Sequence, residues 1–67
     1  MKVPEVIRDL EAHGWRERRQ SGSHRVFRHP DHPDRRIVVA GNEGKDVPVG
    51  TLAEIYRQAG IDPPARR

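Results

Sequence analysis

The sequence predicts an α+β domain of order α-β-β-β-α, a three-stranded antiparallel sheet with two helices packed on one face. Three observations predict it. Apolar residues repeat at helical spacing near both ends of the chain. Ile37-Val38-Val39 is a run of β-branched residues that suits a strand. Glycine- and proline-containing turns punctuate the segment between. A meander of three strands buries one face when both helices lie on it, and its other face is left exposed.

The elements follow in order. Val3, Val6, Ile7 and Leu10 fall on one helical face, and Pro4 and Glu5 suit a first turn, so the spacing predicts a helix over 4–13. Gly14 supplies a left-handed residue to end it, with Trp15 folding back near Leu10 as a core or cap contact. Ser21-Gly22-Ser23 reads as a hairpin turn between a charged strand over 15–20 and a second strand, His24 to His29. Pro30-Asp31-His32-Pro33-Asp34 reads as an irregular turn because it carries two prolines. Arg36 to Ala40 is the clearest strand, followed by a loop from Gly41 to Asp46. Thr51 and Glu54 predict a capping box opening a second helix, with Leu52, Ile55, Tyr56 and Ala59 inward and Gly60 as its stop. The tail, 62–67, is expected to fray.

With 67 residues, 33% of them apolar and no cysteine, the chain is expected to be one domain, 1–67, with a thin core and no disulfide. Stability of roughly 3–5 kcal/mol is expected at this size. The lack of cysteine fits a reducing cytoplasm, and no signal peptide or membrane-spanning apolar run is expected.

All but two of the 13 lysines and arginines are arginines, and Arg16, Arg18, Arg19, Arg25, Arg28, Arg35 and Arg36 crowd the middle of the chain. Guanidinium forks suit phosphate and stack on bases, so this segment is either a nucleic-acid footprint or a solvated charged surface. On a strand of period two, His24, Val26 and Arg28 share one face, and Arg25, Phe27 and His29 the other. Phe27 is the natural core residue, which leaves His24 and Arg28 exposed and pointing away from His29. His29 and His32, three apart with acids nearby, invite a metal reading, but a proline-punctuated turn offers no rigid third ligand. Gly41 to Gly44 lacks the spacing of a phosphate loop. By itself His24 reads first as a surface strand histidine of no special role.

The layout resembles a double-stranded-RNA-binding domain. Gly14-Trp15, then Gly22-Ser23-His24 with Phe27 and His29-Pro30, then Gly50-Thr51-Leu52, Ile55 and Arg57-Gln58-Ala59-Gly60 occur in order and at spacings that resemble the HicA family of toxin mRNA interferases, from about Val3 to Ile61. The resemblance implies cleavage of mRNA without a metal or other cofactor, a catalytic histidine at His24, and a HicB-like antitoxin partner. Relatives commonly read Val-Pro-x-His after the third strand. Here the chain reads Val39-Ala40-Gly41-Asn42, so no second histidine role is carried over.

Such cleavage needs a base for the 2′-OH, an acid for the leaving 5′-oxygen and positive charge at phosphorus. Arg28 is the first candidate for phosphate contact and Arg18 or Arg19 the next. Ser23 and Arg25, which flank His24, complete the expected RNA-binding set. A non-catalytic RNA-binding module and a protein-docking sheet face stay open beside this reading.

Overall fold

The computed structural model describes residues 1–42 and 44–62. Its elements run α1 (Val3–Ala12), β1 (Arg16–Ser21), β2 (His24–His29), β3 (His32–Ala40) and α2 (Val49–Ala59). The sheet is antiparallel, with β2 in the middle. The expected α+β class and element order are both present. Of the expected frayed tail, the part beyond Asp62 lies outside the described residues, as does Glu43 in the predicted loop.

Phe27 pairs with Ile37 and Arg25 with Val39, so these four residues share one sheet face. Val3, Val6 and Leu10 of α1 and Ile55, Tyr56 and Ala59 of α2 are buried with Phe27, Ile37, Val39, Trp15 and Val47 in a single cluster. Both helices therefore cover the same face, as the apolar spacing requires.

α1 ends as predicted. Gly14 takes φ +96°, its N–H donates to the carbonyl of Glu11, and the Trp15 N–H reaches back to Leu10. These are the paired bonds of a Schellman cap, which satisfy the carbonyls a helix leaves open. The same pattern closes α2, where the Gly60 and Ile61 N–H groups reach Arg57 and Tyr56.

Two expectations change. The turn after β2 is only Pro30-Asp31, because His29 already pairs with His32 and β3 begins there. Pro33 sits within β3 because β3 is an edge strand beside a register shift, where a missing N–H breaks no ladder bond. The predicted Thr51–Glu54 box does not form either. The helix starts at Val49, with Leu52 N–H on the Pro48 carbonyl, and Glu54 pairs with Arg57 instead. The preceding segment is pinned from outside the helix: Lys2 bridges Asp46, and Val47 N–H donates to the Met1 carbonyl. That contact buries Val47 and turns the chain upward before Thr51 is reached.

Tyr56 joins the helices by donating its hydroxyl to the Asp9 carboxylate at 2.5 Å. Burial, and then the Asp9 bond and charge, hold the phenol well above its ordinary range. The neutral phenol is thus favoured by folding. Its contribution is present below pH ~10, where an unfolded tyrosine ionises, and is lost as pH rises from there towards the higher folded value. Tyr56→Phe is expected to cost about 1–2 kcal/mol in urea unfolding at pH 7 and to flatten the loss of stability above pH ~10. An unchanged alkaline limb in the variant would disprove the assignment.

No helix among the described residues is long and apolar enough to cross a membrane.

Candidate nucleic-acid interface

The hairpin between β1 and β2 sets the position of His24. Ser21 pairs with His24 across the two-residue turn Gly22-Ser23, and Gly22 has φ +59° while Ser23 does not enter the left-handed region. Glycine at the first central position is the requirement of a II′ turn, whose twist matches that of the flanking strands. The Ser23 carbonyl accepts from Gly41 N–H at 3.0 Å, and His24 pairs with Ala40, so the start of β2 is held from both sides. The His24 ring is exposed, and no described residue hydrogen-bonds to it.

Across the same outer face the arginines gather. Arg18, Arg19, Arg28 and Arg36 surround Val26 in a cleft of about 360 Å³ that no acidic residue lines. A β-bulge makes this possible. The register shifts between Glu17 and Arg19, so Arg18 is an extra residue and both neighbours reach one cleft, which strict alternation forbids. Val38, opposite Val26 and 38% exposed, extends the apolar floor.

Arg28 is on the expected face, but its guanidinium is drawn along β3. One nitrogen donates to the carbonyls of Arg35 at 3.0 Å and Pro33 at 3.4 Å. These lie at the end of β3 remote from Ala40, the partner of His24. Arg28 and His24 are therefore on one face yet at opposite ends of β2.

Arg25 is not brought to this cleft. It shares the helix-side face with Phe27, pairs with buried Val39, and lies 3.9 Å from the Glu17 carboxylate. Ser23 is half-buried in the turn and sits outside the arginine ring. Arg36, absent from the expected set, belongs to it. The signal was available: Ile37 and Val39 are buried, so on a strand of period two their neighbours Arg36 and Val38 fall on the outer face.

His29 is committed elsewhere. Its Nε2 donates to the His13 carbonyl at 2.9 Å, and its Nδ1 accepts from Asp31 N–H at 3.0 Å, which defines the Nε2–H tautomer. The ring meets Trp15 edge-on at 5.2 Å, and His32 stacks on Trp15 at 5.9 Å. Trp15 is buried, as the cap geometry predicts, and both histidine rings are packing groups around it. Among the described residues no group of three or more histidines and acids is placed to hold a metal ion.

The model of a known family, described as HicA toxin of bacterial toxin-antitoxin, matches residues 3–61. The chain belongs to the HicA toxin family. Its role is that of the toxin in a toxin–antitoxin pair, and its partner is a cognate antitoxin. No curated protein matches the chain. Two of the HicA-like sequence pieces prove to be one unit of structure. Gly14 leaves room for His29, whose ring binds the carbonyl of the neighbouring His13, and Pro30-Asp31 turns the backbone to cap the same ring.

Proposed function

We propose that this HicA-family toxin is a metal-independent endoribonuclease that cleaves mRNA, with His24 as its acid–base group. The observation that carries the reading is the placement of an exposed, unengaged imidazole on a rigid strand of a face rich in uncompensated arginine. In the reaction, the 2′-oxygen attacks phosphorus as the imidazole takes its proton. The P–O5′ bond breaks, and the leaving oxygen takes a proton from the imidazolium or from water, giving a cyclic phosphate and a 5′-hydroxyl. An imidazole can carry either proton near neutral pH. A HicB-like antitoxin silences the toxin by covering this face, with acidic residues near Arg28 and its neighbours.

The test is cleavage of a defined mRNA fragment in EDTA by the parent and by His24→Ala. The variant is expected to lose about 10²–10⁴-fold in rate with its fold intact by circular dichroism. Full activity in His24→Ala removes the assignment. Retained RNA binding with no cleavage by the parent favours a non-catalytic RNA-binding module.

A further inference from the structure

We propose that the arginine-ringed cleft around Val26 is a subsite for single-stranded RNA two to four nucleotides away from the linkage that His24 acts on. This rests on the RNA-cleaving reading above and adds where, and over what length, the strand is held. His24 and Arg28 are four residues apart on β2, which is roughly 13 Å at the rise of a strand. The Arg28 guanidinium is pulled further along by the Arg35 and Pro33 carbonyls. A stacked nucleic-acid strand advances about 3.4 Å per nucleotide, so this gap spans about four nucleotides, and fewer if the strand is extended. One phosphate cannot sit at both ends. The arginines therefore hold a different part of the chain from the part that reacts.

The composition of the cleft identifies its occupant. Four guanidinium groups meet there without a carboxylate in the lining, which is unfavourable for the empty protein and favourable once phosphates arrive. The guanidinium groups of Arg18, Arg19 and Arg36 have no hydrogen-bond or ion-pair partner among the described residues. Their floor is Val26, with Val38 beside it, an apolar patch against which a base or ribose can lie while guanidinium planes stack on it. A duplex hides its base faces, so an apolar floor ringed by cations fits an unpaired strand. The occupant runs along β2 from His24 across Val26 to Arg28, flanked by Arg19 on one side and Arg36 on the other. The β-bulge at Arg18 adds the fourth cation.

The test uses the full chain and 2′-O-methyl oligouridylates of two, four and six nucleotides, which lack the nucleophile and so report binding alone. Affinity is expected to rise at least about tenfold from two to six nucleotides as the strand reaches the cleft. The slope of log affinity against log salt for the hexamer is expected to flatten by about 0.7 in Arg19→Gln, by the same in Arg36→Gln, and by about 1.4 in the double variant. Both side chains are on the exposed sheet surface, and circular dichroism checks that the variants fold. Equal affinity for all three lengths, or an unchanged salt slope in the double variant, overturns the subsite. So does tight binding of an acidic protein together with no binding of the oligonucleotides. Matching cleavable RNAs keep the two readings apart. A parent that binds in this length-dependent way but cleaves nothing leaves the subsite standing and removes the nuclease. A parent that cleaves dinucleotide and hexanucleotide with equal kcat/KM keeps the nuclease and removes the subsite.

Discussion

Trp15→Ala is expected to leave about half or more of the molecules unfolded at 25 °C. Trp15 heads the fully buried side chains, at 1% exposure, and it closes three pieces of structure at once. Its backbone N–H completes the cap of α1, and its ring is met edge-on by His29 and stacked by His32. Truncating a buried tryptophan to alanine costs about 3–5 kcal/mol, the lost burial plus the cavity left behind. That range equals the whole stability expected of so small a core, roughly 3–5 kcal/mol. No disulfide is present to limit the loss. The measurement is far-UV circular dichroism with urea titration, since the variant has no tryptophan to report by fluorescence. Trp15→Phe, which keeps part of the buried area, is expected to lie between parent and alanine variant. A cooperative transition in Trp15→Ala within about 1 kcal/mol of the parent would show that the ring is not a keystone of the core.

Gly14→Ala is expected to destabilise by about 2–3 kcal/mol, although alanine is ordinarily the better helix residue. The backbone there has φ +96°, a conformation that costs a residue with Cβ about 1–2 kcal/mol. The added carbon would also stand 2.5 Å from Nε2 of His29, so the ring must move and its bond to the His13 carbonyl is lost. That adds about 1 kcal/mol. The two causes can be separated. In a His29→Ala background the ring is gone, and the remaining cost of Gly14→Ala is the backbone strain alone. The double variant is therefore expected to be less destabilised than the sum of the singles. Strict additivity in urea melts would show that the contact with His29 carries no energy.

Much of this was legible in the chain. The helical spacing of Val3, Val6 and Leu10 and of Ile55, Tyr56 and Ala59 placed both helices on one sheet face. Gly14-Trp15 read as a cap because a left-handed residue followed by an apolar one is what a Schellman turn requires. The alternation of His24 to His29 separated Phe27 from His24 correctly, since side chains on a strand change face at every step. The Thr51–Glu54 pattern misled for a local reason. It is a cap only where the chain has not yet turned, and the bridge between Lys2 and Asp46 turns it earlier. Pro33 misled because a proline reads as a strand breaker, although on the edge strand of a meander its missing N–H breaks no ladder bond.

The exposed place of His24 shows the division most clearly. Sequence by itself determined the order of elements, the buried face and the side of β2 on which His24 and Arg28 stand, because periodicity and turn chemistry act between residues close along the chain. Only the tertiary structure decided that Arg18, Arg19, Arg28 and Arg36 share one cleft. It also decided that the Arg28 guanidinium is drawn away from His24. Those outcomes depend on a bulge, on strand register and on which backbone carbonyls a long side chain can reach. Such contacts form between segments distant in sequence, so no local pattern carries them.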